Sequence, residues 1–174
     1  MSEIWDLYDK NGNRANIIIP KGGTIPKEYY HLVVEVYVIT NESEILVTKR
    51  VHSKLWWPDE WENTQGSVIS GENARQAAVR ELKEETGIVV NENTLMHIFD
   101  YIHENNPSIF VGFITFVDKN RIDIKMNTAE VAEYKFLRYE EFEDFIMKYN
   151  FVEWTKIRYM ANKHKINHLI RQHS

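Results

Sequence analysis

A mixed α/β sandwich is the fold this sequence predicts, and three observations carry it. Segments with strand character lie on both sides of one strong central helix. The chain then turns helical towards its end, so helices can cover a sheet from both faces. Hydrophobic residues make up 43% and charged residues 27% of the 174 positions, a balance that builds a core and excludes wholesale disorder. The length suits one domain over 1–174: N-terminal strands in 1–30, a core in 31–150 and a helical segment in 151–174.

The elements follow in order. Ile4–Tyr8 alternates enough for a short strand, and Asp9, Lys10, Asn11 and Gly12 form its turn. Residues 17–19 give another short strand, and Pro20, Gly22, Gly23 and Pro26 mark the loop after it. His31–Thr40 is β-branched and reads as the central strand, turned at 41–44 and returned over 45–50. Residues 51–60 form a polar, aromatic loop, and 61–67 a further strand. Residues 73–86 are rich in Ala, Arg, Gln, Leu, Lys and Glu, which favour helix, and Gly87 is placed to stop it. Residues 95–102 and 109–117 read as paired strands around a turn at 104–107, and 133–137 as one more. Helices are expected over 139–149 and 155–171.

Composition removes several function classes. With no cysteine, disulfides, iron–sulfur clusters, thiolate zinc sites and cysteine nucleophiles are excluded. A net charge of −5 makes general nucleic-acid binding unexpected. No apolar run is long enough to span a membrane. The first residues, MSEIWDLYDKNGNR, lack the apolar stretch of a signal peptide, so a cytoplasmic location is expected.

The chemistry is concentrated between Gly66 and Ile88. Glu81, Glu84 and Glu85 stand at i, i+3 and i+4, so a helix puts three carboxylates on one face. Like charges so placed repel by about 0.2–0.5 kcal/mol per pair even when exposed. A hard divalent cation with oxygen ligands would relieve that repulsion and bridge the carboxylates to substrate phosphates. Ala74 and Ala77 are expected to leave room above the face, Ala78, Val79 and Leu82 to pack on the sheet, and Arg80 to orient or partly neutralise the acids. Gly66 and Gly71 allow a tight loop that brings main-chain carbonyls near a metal. A solvated acidic face is the ordinary meaning of such a run.

The full spacing outweighs that ordinary meaning. Gly66, five residues, Glu72, seven residues, Arg80-Glu81-Leu82, one residue, Glu84-Glu85, one residue and Gly87-Ile88 form a complete pattern. Chance would match it on the order of 10⁻⁹ per window at average residue usage. The pattern resembles the Nudix box of the Nudix hydrolase (MutT-like) superfamily. The resemblance implies an α/β/α sandwich around a mixed sheet and Mg²⁺- or Mn²⁺-dependent hydrolysis of a diphosphate linkage. The expected substrate is a small molecule, a nucleoside diphosphate joined to another group. It further implies that Glu81, Glu84 and Glu85 are metal ligands, that Glu84 or Glu85 is the base, and that Glu72 and Arg80 brace loop and helix. A main-chain carbonyl at Gln65 or Gly66 would add a ligand, and Glu130 or Glu133, with Glu104 as another candidate, a distal carboxylate. Many relatives have Gly-Gly where this chain has Gln65-Gly66. A homodimer is a fair expectation for this fold.

The opening EIWDLYDKNGNR, the strand His31–Thr40, VTKRVHSKLWWPDEW and EVAEYKFLRYEEF are similar to a subgroup near the isopentenyl-diphosphate isomerases. That isomerase needs a cysteine just before the box, where Gln65 stands here. A ligand-sensing module without turnover and an RNA-end hydrolase are further alternatives. Trp56, Trp57 and Trp61 would stack on a base or pack as wall and core. His164 and His168, four apart, lack a third ligand, and the basic segment from Thr155 to Ser174 is expected to be a solvated helix.

Overall fold

A computed structural model describes residues 3–173; residues 1, 2 and 174, the outer ends of the two expected terminal segments, lie outside the described residues. Ile4–Tyr8 (β1) pairs antiparallel with Arg14–Pro20 (β2). The turn between them is closed by Asp9 Oδ1, which accepts from the amides of Asn11 (2.8 Å) and Asn13 (2.9 Å). β2 begins earlier than residue 17 because cross-strand pairing recruits Arg14, Ala15 and Asn16, which carry no strand signal of their own.

The second sheet is mixed and seven-stranded: His31–Thr40 (β3), Glu44–Arg50 (β4), Trp61–Glu62 (β5), Thr64–Ser67 (β6), Met96–His103 (β7), Ser108–Val117 (β8) and Val131–Arg138 (β9). β3 and β8 are parallel over their whole length, and the other pairings are antiparallel. β3 and β4 pair only at Ile39 and Ile45, beside their turn, and then diverge. β5 lines β4 and β6 lines β3 inside that split. The strand expected over 61–67 is therefore two, broken at Asn63, because its halves follow different partners. This split opens the interior of the sheet to polar side chains and sets up the site.

Strand alternation sorts two cores. Val34, Val36 and Val38 of β3 face Ala77, Ala78 and Leu82 of the helix Ala74–Thr86 (α1). Tyr37 and Ile39 face Phe142 of Tyr139–Lys148 (α2) and Tyr159 and Ile166 of Glu153–His173 (α3). The sheet is thus covered by helix on both faces, the α/β/α sandwich expected. Fully buried Leu82 alone accounts for about 2 kcal/mol of apolar burial. Ala77 corrects an expectation: it is fully buried in the core and does not open space above the acidic face.

α1 is bounded by local chemistry. Asn73 is its N-cap rather than its first helical residue: its side chain accepts from the Gln76 amide (3.0 Å), and the Gln76 side chain accepts from the Asn73 amide (3.0 Å). Gly87 ends it at φ 78°, where a Cβ would press on Lys125.

Candidate active site

The first turns of α1 are tied to the loop before them by one guanidinium. Arg80 donates to Glu72 twice (Nε 2.8 Å, Nη2 3.0 Å), to Glu81 (2.7 Å), to Glu84 (3.1 Å) and to the Ser67 carbonyl (2.9 Å). All five N–H groups of the fork find acceptors. Burial opposes its charge, but the hydrogen bonds to Glu72 and Glu81 hold the guanidinium above its ordinary pKa. The loop is clamped again from the N-terminal hairpin. Asp6, buried on β1, accepts from the Gly71 amide (2.9 Å) and the Ser70 hydroxyl (3.1 Å), and pairs with Arg14 (3.2 Å). Gly71 lies at φ 92°, the left-handed turn that glycine tolerates. Gly66 is needed for a different reason: a Cβ there would overlap the Glu81 carboxylate. Gln65 sits in β6 opposite Glu35 and is not among the residues with positive φ, so its side chain brings no strain to the loop.

The last turn of α1 has the opposite character. Glu85 is buried, and its Oε2 has no hydrogen-bond partner among the described residues. Burial first, then the charges of Glu62, Glu81 and Glu130, push its carboxyl well above the usual carboxylate range, against a weaker pull from Lys54. Glu81 is shifted upward by burial as well, opposed by Arg80 and reinforced by Glu84 and Glu130. Glu130 comes from the loop before β9, which is fastened to the helix end: the Asn127 amide donates to the Glu85 carbonyl (3.0 Å) and the Glu130 amide to the Asn127 carbonyl (2.9 Å). Lys54 holds the Glu130 carboxylate at 2.8 Å.

Among the expected residues, Glu72, Arg80, Glu81, Glu84, Glu85, Gly66 and Glu130 gather around this one helix. Glu133 and Glu104 do not join them: Glu133 is exposed beside Lys135 (3.3 Å), and Glu104 is bound to Tyr30 (2.8 Å) and Lys10 (3.0 Å). Glu62 was not foreseen. Burial raises its pKa, and Arg50 (2.7 Å) and Gln65 (2.7 Å) act against that. A lone glutamate in a short strand carries no local signal; only the divergence of β3 and β4 places it facing Glu85. Among the described residues, no three His, Asp or Glu side chains stand together as a set that could hold a metal ion, and Arg80 and Lys54 engage several of the acids. The donor set nevertheless fits Mg²⁺ or Mn²⁺. It is hard oxygen, in anionic excess, and includes an unpartnered buried carboxylate oxygen; Mg²⁺ needs only one or two carboxylates beside water and phosphate.

Beyond Glu62 lies a cavity of about 350 Å³, lined by Trp56, Trp57, Gln65, His103, Trp154 and Arg158 among others. Arg158 of α3 is fully buried. Its Nε meets Glu35 Oε2 at 2.5 Å, its Nη2 donates to Gln65 Oε1 and Thr155 Oγ1 (both 3.2 Å), and its guanidinium lies 3.8 Å over the Phe110 ring. This corrects the solvated-helix expectation for the basic segment: Arg158 is interior, Lys165 donates to the Ile98 carbonyl (2.6 Å) and Lys163 pairs with Glu143 (3.0 Å). Trp61 is core, edge-on to Phe145, whereas Trp56 is 66% exposed. His164 and His168 gather no third ligand among the described residues.

Comparison with known proteins agrees with this geometry. The NUDIX domain profile matches residues 29–156. A Nudix hydrolase of Listeria innocua is 33% identical over 142 residues, covering 81% of this chain and 83% of its own. An isopentenyl-diphosphate Delta-isomerase of Photorhabdus laumondii is 26% identical over 147 residues, covering 80% and 82%. In fold, a protein of Deinococcus radiodurans superposes with a TM-score of 0.69 at 18% identity, over 89% of this chain and 96% of its own.

Proposed function

From the premise that the chain belongs to the NUDIX-domain family of hydrolases, we propose that it hydrolyses the phosphoanhydride of a nucleoside diphosphate linked to another group, with Mg²⁺ or Mn²⁺. The observation that carries this is the Glu85 carboxylate, buried among Glu62, Glu81 and Glu130 with Oε2 left without a partner among the described residues. In this proposal Glu81, Glu84 and Glu85 hold the cation, with the Gly66 carbonyl and Glu130 completing the set. Such a cation, when bound, polarises a phosphoryl oxygen and makes water a better nucleophile.

The chain's own groups do the rest. Arg80 and Glu72 fix loop against helix, so the carboxylates keep their spacing while substrate binds. Of the two candidate bases, Glu85 has a free oxygen, whereas Glu84 is engaged by Arg80 and open to solvent. In this proposal Glu85 takes the proton from the attacking water. Lys54 neutralises part of the cluster through Glu130.

Similarity to an isomerase raises the isoprenoid alternative. Gln65 answers it: its amide is committed to Glu62, Thr155 and Arg158, and the chain has no thiol. Chromatographic detection of the two phosphorylated products from a panel of nucleotides, nucleotide sugars, dinucleoside polyphosphates and prenyl diphosphates, with each metal, tests the proposal. Turnover of a nucleoside diphosphate derivative is expected. Isomer exchange of isopentenyl diphosphate, or no cleavage of any compound, would contradict it.

A further inference from the structure

We propose that Lys54 is a tether which the cation displaces. In the metal-free protein its ammonium holds Glu130; when Mg²⁺ or Mn²⁺ takes that carboxylate, the ammonium is released and the tryptophan loop 51–60 shifts with it. This rests on the metal site of the hydrolase proposal and deepens it, making a wall of the neighbouring cavity depend on metal loading.

Three features carry this. The first is where Lys54 spends its charge. Its Nζ lies 2.8 Å from Glu130 Oε2, on a carboxylate of the set proposed for the cation. Where burial pushes the Glu85 and Glu62 carboxyls up, the Lys54 charge acts the other way. One ammonium thus supplies part of the positive charge that a divalent ion would bring to the same acids. Like charges repel, so a divalent ion on Glu130 drives the ammonium off it. The second is how readily the pair parts. The two side chains are 29% and 43% exposed, and an ion pair so open to water is weak. Lysine is a point charge on a flexible stem, and solvent is at hand to receive it. Arg50, at the start of the same loop, is more deeply set: it donates to Glu62 (2.7 Å) and to the Trp56 carbonyl (3.0 Å). Arg50 is the fixed anchor and Lys54 the exchangeable catch. The third is strain. Trp57 and Asp59 lie in the left-handed region, at φ 49° and 63°, a costly conformation for a bulky residue such as tryptophan. A strained segment relaxes when one of its fastenings is let go.

The loop connects the acids to the cavity. The Val51 amide donates to the Glu130 carbonyl (3.1 Å), so the start of the loop is laid against the segment that carries Glu130. Leu55, Trp56 and Trp57, which follow Lys54, are exposed, and the two indoles line the cavity of about 350 Å³. A change at Glu130 therefore passes through Lys54 to the cavity wall within three residues. Substrate meets the finished wall in the metal-loaded protein, so the cation binds first and the substrate second.

Nitrogen-15-labelled protein gives indole N–H resonances that report on each tryptophan separately. In the metal-free protein, Lys54→Met and Glu130→Gln break the tether from its two ends. Both should move the Trp56 and Trp57 signals in the same direction and leave Trp5, stacked on His31, unmoved. MgCl₂ titrated into wild type should move the same two signals that way, saturably, and KCl at matched ionic strength should not. Lys54→Met should bind Mg²⁺ about 2- to 5-fold more tightly, the worth of an exposed ion pair, with its indoles nearly silent. Lys54→Arg, which keeps the pair, should follow wild type. Wild-type indole positions in either metal-free tether variant, equal Mg²⁺ shifts in wild type and Lys54→Met, or the same shift with KCl would overturn the tether. The two proposals fail separately. Mg²⁺ binding that raises the melting temperature while the wild-type indoles stay silent sinks only the tether. Indole shifts as described, with no cleavage of any compound, sink only the hydrolase, and failure of Mg²⁺ to bind at all sinks both.

Discussion

The two ends of α1 differ in how completely their charges are answered. At the Arg80 end, one guanidinium uses every donor on Glu72, Glu81, Glu84 and Ser67, and the loop from Gly66 to Asn73 is closed by protein alone. At the Glu85 end, the charges of Glu62, Glu81 and Glu130 act on the buried Glu85 carboxyl against a weaker pull from Lys54, and an oxygen is left over. A helix built only for stability would not strand an acid in its last turn while saturating an arginine five residues earlier. The contrast separates scaffold from site: the satisfied end fixes geometry, and the unsatisfied end awaits a cation.

If that division holds, removing the cation has the largest effect. EDTA should abolish cleavage of the diphosphate linkage and Mg²⁺ or Mn²⁺ should restore it, and full activity in the chelated protein would erase the distinction. Breaking the satisfied end comes next. Arg80→Gln strands Glu72 and the Ser67 carbonyl and should cost about 3–5 kcal/mol in a denaturant melt. Adding Glu72→Gln to that variant should cost little more, because the pair acts as a unit. Two independent, additive losses would mean that Arg80 is not the hub described.

His31 sharpens the comparison, since it too is a buried polar group with an unpartnered atom, Nδ1, among the described residues. Here stacking on Trp5 at 4.1 Å fills the space and burial, then the charge of Lys21, pushes its pKa down to about 4, so the ring answers its burial by staying neutral. The folded state then binds fewer protons than the unfolded one between pH 4 and the unfolded value near 6.5. Stability should fall as pH drops through that window, by up to about 3 kcal/mol, and be insensitive to His31 above it. His31→Phe should flatten that part of the pH–stability curve; an unchanged slope would remove His31 as its source. The smallest effect is expected at the cap. Asn73→Ala should lower stability by about 1 kcal/mol and leave turnover nearly intact, as circular-dichroism melts beside steady-state rates would show.

The sequence carried the satisfied end more fully than the rest. Gly66, Glu72, Arg80 and Glu84 lie within nineteen residues of one another, and helical periodicity alone brings the last two, four apart, onto one face. The three-layer sandwich was legible for the same reason, from alternation and local propensity. What escaped depends on distant chain. Glu62 faces Glu85 only because β3 and β4 part after Ile39 and Ile45, and Asp6 reaches Gly71 only through the N-terminal hairpin. Arg158 reads as one more basic residue of a surface helix until Glu35, 123 residues away, is seen to lie beneath it. Spacing reveals contacts within one element; burial of a charge is a property of the assembled sheet.

Thermal melts of wild type and Glu85→Gln, each with and without Mg²⁺, test the central claim most directly. The substitution keeps size and helix propensity while removing one charge from a crowded site. Without metal, the variant should melt at or slightly above wild type, because repulsion from Glu62, Glu81 and Glu130 is relieved. With metal, wild type should gain stability and the variant should gain less, with turnover down by at least about 10²-fold. Equal Mg²⁺ stabilisation of both proteins, with wild-type turnover in the variant, would contradict the account.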